Sequence, residues 1–144
     1  MEPIFTNERE MYPVIADYLK ISGYLSLQTF VFSREGFEVD VVGMNENCQI
    51  YMVEAKLHCL SKLVRQAKVR KNFCDLISVA LPSCRAYHVF NSFQNASGLR
   101  EEGLGLIAVD RQAVELISPR LTRSNSLSKQ ELIKELMVME SIPC

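Results

Sequence analysis

The segment Ile50-Tyr-Met-Val-Glu-Ala-Lys-Leu57 constrains the fold most. Its Val, Ile and aromatic content favours a strand, and strand side chains alternate between two faces. One parity, Tyr51, Val53, Ala55 and Leu57, is wholly apolar. The other carries Ile50 and Met52 before it reaches Glu54 and Lys56. A strand apolar on both faces belongs inside a sheet that is covered on both sides. Glu54 and Lys56 then lie at the mouth of a core, where charge is costly unless it is paired or used.

A second strand, Phe37-Glu-Val-Asp-Val-Val-Gly43, precedes the first, and the polar link Met44 to Gln49 suits a hairpin. Alternation puts Glu38 with Asp40 on one face, and Glu54 with Lys56 on one face. Two adjacent strands therefore present Asp40, 13 intervening residues, and then Glu54-Ala55-Lys56.

This pattern resembles the signature of the PD-(D/E)xK nuclease superfamily, the restriction-endonuclease-like fold, in its RecB-like or Holliday-junction-resolvase-like branch. Val39 stands where the family name has Pro. The resemblance implies a metal-dependent phosphodiesterase: Asp40, Glu54 and the Ala55 carbonyl binding Mg²⁺, with Mn²⁺ as a substitute, and Lys56 stabilising the phosphoryl transition state. It also implies an acid from the first helix, here Glu8, acting through water or on a second metal. The branch carries a Gln-x-x-x-Tyr element after the Glu-x-Lys strand. Gln66 matches its first half, and Arg70 replaces the Tyr. Residues four apart share a helix face, so Gln66 and Arg70 can both meet a nucleic-acid backbone. Glu38 ranks below these acids.

The remaining pattern predicts an α/β fold with an αβββαβ core. Thr6 or Asn7 caps a first helix with Met11, Val14, Ile15, Tyr18 and Leu19 at helical spacing, and Gly23 ends it. On a helical wheel Glu8 falls on the buried side with Tyr12, and Glu10 points away. Tyr24 to Ser33 reads as the first strand, and Arg34-Glu35-Gly36 as its turn. A helix follows over Leu60 to Cys74, then a buried strand over Asp75 to Pro82. Ala86 to Phe93 fits either a short helix or a strand, and Asn95 to Gly98 reads as a break. Strands over Gly103 to Asp110 and Ala113 to Ile117 extend a mixed sheet flanked by helices. A polar link, Pro119 to Ser126, leads to an amphipathic helix opened by Ser128-Lys-Gln-Glu131, a capping-box pattern. The expected organisation is a nuclease domain over 1–118 and, over 119–144, a linker and a helix packing on the domain or on a dimer partner.

A chain of 144 residues, 48% hydrophobic and 23% charged, makes one globular domain. No apolar run approaches the length of a membrane span, and no secretory leader is evident, so a cytoplasmic protein is expected. The five scattered cysteines lack a Cys-x-x-Cys pair, which argues for free thiols over a zinc site. Two histidines are too few to build an acid/base mechanism. The net charge of −1 argues against indiscriminate coating of nucleic acid. Locally, however, Lys56, Lys62, Arg65, Lys68, Arg70 and Lys71 form a basic run with no acid among them. Such a run suits phosphate contact through Lys62, Arg65, Gln66 and Arg70.

The leading reading is an Mg²⁺-dependent DNA endonuclease of repair, recombination or defence, with RNA left open as a substrate. Its expected partners are DNA, a second copy of the chain as a homodimer, and a larger repair or defence assembly. The alternative is a non-catalytic nucleic-acid-binding or assembly subunit that keeps the fold. A third reading makes Glu54 and Lys56 a structural ion pair.

Overall fold

The computed structural model describes residues 4–33, 35–122 and 126–140, apart from the side chains of Ser126, Met139 and Glu140. A 3-10 turn, Glu8–Met11, opens the fold and runs into α1 (Tyr12–Ile21). Three strands follow: β1 (Leu25–Phe32), β2 (Phe37–Met44) and β3 (Ile50–Ala55). Next come α2 (Leu60–Arg70), a 3-10 turn over Lys71–Phe73, β4 (Leu76–Pro82), α3 (Ser83–Phe90) and α4 (Phe93–Glu101). The chain then forms β5 (Gly105–Val109), β6 (Ala113–Ile117) and α5 (Ser126–Glu140).

The strands form one mixed sheet in chain order, β1 to β6. β1/β2, β2/β3 and β5/β6 are antiparallel, whereas β3/β4 and β4/β5 are parallel. Parallel neighbours need a crossover, and α2 supplies it between β3 and β4. Every residue of β3 is buried, as its two apolar faces require.

Tyr51, Val53 and Ala55 face α1, packing with Met11, Tyr12, Ile15 and Leu19. Ile50 and Met52 face the other way, in a cluster holding Leu63 and Ala67 of α2, Ala86 and Val89 of α3, and Leu132 and Leu136 of α5. Beyond those two leucines, α5 is tied down by Lys129, whose Nζ lies 2.8 Å from Asp75, and by Glu135, which accepts from the Ser33 N–H and hydroxyl.

Several local expectations are corrected. Asn95 to Gly98 is no break but lies inside α4, because the Ser92 hydroxyl accepts from the Asn95 N–H and caps that helix. The segment left open between helix and strand is helical, as α3. α2 stops at Arg70, short of Cys74, and closes in a tighter 3-10 turn. α5 starts two residues before Ser128, which therefore stands inside the helix and not at its cap. Lys56 and Leu57 lie past the end of β3. The turn residue Arg34 and the link residues 123–125 lie outside the described residues, as do 141–144. Cys59, Cys74 and Cys84 are free thiols, as expected, but Cys48 is disulfide-bonded. Among the described residues no helix is long and apolar enough to cross a membrane.

Candidate active site

Asp40 sits where the sheet comes apart. The β2/β3 register runs from Met44 opposite Ile50 to Val41 opposite Val53 and stops there. On the other side β1/β2 pairing passes from Gln28 opposite Val41 to Phe30 opposite Val39, leaving Thr29 and Asp40 unpaired. Thr29 has φ 52°, a left-handed conformation that a β-branched residue rarely adopts. The strand also turns over at this point: Val39 packs in the α2-side cluster and Val41 in the α1-side cluster. The Asp40 carboxylate takes up donors that the splayed strands leave. Its Oδ2 accepts the Ala55 N–H at 2.8 Å, and its Oδ1 accepts the Tyr12 hydroxyl at 2.9 Å.

Tyr12 reaches the site because of the local sequence before it. Asn7 and Glu10 form a reciprocal capping box around the 3-10 turn, and Pro13 occupies the first turn of α1, where its missing N–H costs nothing. That fixes the entry of α1 over the end of β2. Burial, then the charge and hydrogen bond of Asp40, push the Tyr12 hydroxyl well above its ordinary value, so it acts as a donor.

Glu54 is 3% exposed, and its carboxyl lies against Asp40. Burial, followed by the charge and hydrogen bonding of Asp40, raises its pKa to about 9, with Arg70 pulling the other way. Two carboxyls that close cannot both ionise without a compensating cation, and the proton they retain belongs to the pair.

The near cation is Arg70, not Lys56. Arg70 Nε stands 3.5 Å from Glu54 Oε1, its Nη2 donates to the Glu38 carbonyl at 3.3 Å, and its guanidinium lies 4.2 Å from the Phe37 ring centre. Glu54 Oε1 and Arg70 Nε are both buried and neither has a hydrogen-bond partner. The two atoms face each other without the short fork usual for arginine and carboxylate.

These groups open on a cavity of about 440 Å³ lined also by Glu8, Glu38, Lys56 and Gln66. Lys56 follows β3 and extends its pairing, its N–H donating to the Ala80 carbonyl at 3.2 Å. The side chains of Lys56 and Gln66 have no hydrogen-bond or ionic partner among the described residues. Glu8 is half-buried on the cavity wall, in the 3-10 turn and not in α1 itself. It does not close up on the other two acids: among the described residues no three His, Cys, Asp or Glu side chains are grouped to hold a metal ion. Lys62 and Arg65 lie exposed on α2, outside the cavity lining. The basic run is partly neutralised within the fold, since Lys68 and Lys71 lie 3.3 and 3.2 Å from Glu102.

The chain shares its fold with a Silicibacter pomeroyi protein of unknown function (TM-score 0.66, 19% identity, 98% of this chain and 88% of that one). It also resembles a repair endonuclease from Pyrococcus abyssi (TM-score 0.50, 20% identity), over 74% of this chain and 48% of the other. The chain therefore has a mixed α/β fold, a six-stranded sheet flanked by helices, that is compatible with a nuclease-like one. No family model and no curated protein sequence matches it.

The donor set suits a hard divalent cation. Mg²⁺ is commonly held by one or two carboxylates together with waters and substrate phosphates. Asp40 accepts Tyr12 on one oxygen and the Ala55 N–H on the other, and Glu54 Oε1 is buried without a hydrogen-bond donor. Sequence reasoning does not single out Tyr12 or the inward turn of Arg70. The signal for Tyr12 was present, because a tyrosine on the buried side of a helix needs a partner for its hydroxyl. Nothing local signals Arg70, whose partner lies on another element.

Proposed function

We propose that this chain is a metal-dependent phosphodiesterase acting on DNA, an endonuclease built on the αβββαβ restriction-endonuclease-like core over 1–118 and working in the cytoplasm. The observation that carries the reading is Glu54: a buried carboxyl with an undonated oxygen, pressed against Asp40 at a cavity that Lys56 also lines. A buried acid pair of this kind gives stability nothing, and a divalent cation removes its cost.

In this reading Asp40, Glu54 and the Ala55 carbonyl hold Mg²⁺ or Mn²⁺, with Glu8 acting from the cavity wall through water. The chemistry such a cation supplies is charge neutralisation on the phosphoryl oxygens and a more acidic water. Tyr12 and the Ala55 N–H hold the Asp40 carboxylate in one orientation. Lys56, with no ionic partner among the described residues and lining the same cavity, provides positive charge where negative charge develops on the phosphoryl group. Gln66 lines the same cavity for a phosphate or sugar contact, while Lys62 and Arg65 extend the contact along the exposed side of α2. A second copy of the chain would supply the second cut of a duplex.

One observation favours the non-catalytic alternative. Arg70 already stands beside Glu54 as a cation without any metal, as it would in a subunit that binds nucleic acid and has no further use for the acids. Cleavage of single-stranded, duplex, flapped and four-way-junction DNA with Mg²⁺ or Mn²⁺ decides between them, with Asp40→Ala alongside. Cleavage lost both with EDTA and in Asp40→Ala supports the nuclease. Binding without cleavage under either metal supports the subunit.

A further inference from the structure

Arg70 carries an inference that rests on the metal-site reading and goes beyond it. Its Nε faces Glu54 Oε1 at 3.5 Å, buried, with no hydrogen bond on either atom. One face of the guanidinium rests on Phe37, and its remaining contact is a long bond to the Glu38 carbonyl. An arginine placed for good would take both carboxylate oxygens at hydrogen-bond distance. This one is poised beside an acceptor that it does not bond.

We propose that Arg70 is a mobile positioning residue: it occupies the place of the cation in the metal-free site, leaves Glu54 when a divalent cation binds, and passes to the phosphodiester. Local charge supports the exchange. A divalent cation takes up the charge of the two carboxylates nearest it, and any proton the acid pair held leaves to solvent as the cation enters. The guanidinium then has lost Glu54 as its partner and stands next to a divalent cation that repels it. A phosphodiester entering the same cavity offers it a new negative partner. The aromatic ring of Phe37 gives the guanidinium a flat surface to move across without losing its support. Arg70 also stands one helical turn from Gln66, on the same cavity wall, so the movement needs a side-chain rotation and no shift of α2.

The test uses the full chain and Mg²⁺ alone. Arginine Nε–H resonances are recorded in metal-free protein and through an Mg²⁺ titration, with the Arg70 signal identified by its loss in Arg70→Lys. Mg²⁺ affinity is measured in parallel by calorimetry on the wild type and Arg70→Gln. The expected result is that the Arg70 signal shifts in step with Mg²⁺ saturation, stays still in Glu54→Gln, and that Arg70→Gln binds Mg²⁺ about tenfold more tightly, about 1.4 kcal/mol. Mg²⁺ binding with an unmoved Arg70 signal, or an Arg70→Gln affinity that is equal or weaker, overturns the inference and leaves the cation site standing. No Mg²⁺ binding by folded wild type or folded Arg70→Gln overturns the cation site and the inference together. Should Arg70→Gln fail to fold, the wild-type and Glu54→Gln titrations still decide.

Discussion

Replacing Glu54 by Gln has a calculable consequence for the pH dependence of stability. The pKa of Glu54 rises from its ordinary 4.5 to about 9 in the fold, from burial first and Asp40 second. Between those values the folded protein keeps a proton that the unfolded chain has released, so folding is favoured by low pH. The contribution is fully present below about pH 4.5, falls as pH rises, and levels off once pH passes about 9. Over that window one retained proton changes stability by about 1.4 kcal/mol per pH unit. For a domain of this size 1 kcal/mol moves the melting temperature by roughly 3–5 °C, so the slope is about 5 °C per unit. Glutamine mimics the protonated acid and has no such slope. Metal-free wild type and Glu54→Gln, melted in EDTA at pH 6, 7 and 8, should therefore diverge, with the variant the more stable and the gap widening at each step. Taking the difference cancels every titrating group that does not interact with Glu54. A gap that stays constant from pH 6 to 8 would refute the argument that the acid pair holds a proton.

Three further outcomes are expected. Lys56→Ala should abolish cleavage while circular dichroism, the melting temperature and nucleic-acid binding stay near wild type, because Lys56 makes no ion pair among the described residues; unfolding instead would restore the structural ion-pair reading. Tyr12→Phe removes one donor from Asp40 and should cost about 1 kcal/mol of stability in denaturant titrations, together with weaker Mg²⁺ binding in calorimetry; an unchanged affinity would mean that the hydroxyl does not orient Asp40. Thr29→Asn should raise stability by about 1 kcal/mol in the same titrations, since Asn tolerates the left-handed conformation that Thr29 is forced into, and a loss would show that the threonine side chain packs better than its backbone suggests.

Much of the architecture was legible from local pattern. β3 reads as a doubly buried strand because both parities of Ile50 to Ala55 avoid charge until Glu54, and every one of those residues is buried. The parallel partnership of β3 and β4 follows from the amphipathic helix between them, whose stripe of Leu63 and Ala67 is buried as its spacing requires. The break expected at Asn95 to Gly98 failed because small polar residues serve a helix start as readily as a loop, and the deciding group, the Ser92 hydroxyl, acts through geometry and not through composition.

The sequence by itself determined the inventory: a central strand ending in Glu54-Ala55-Lys56, an acid on the preceding strand, and a basic helix after it. Alternation is a property of the backbone, so residue spacing is enough to establish it. Which charges meet was decided only by the tertiary structure. The divergence of β2 from both neighbours at Asp40, the arrival of Tyr12 from α1, and the choice of Arg70 over Lys56 as the cation beside Glu54 all join elements that are remote in the chain. Electrostatic pairing depends on distance and burial, and neither is written in the spacing of residues along one strand or one helix.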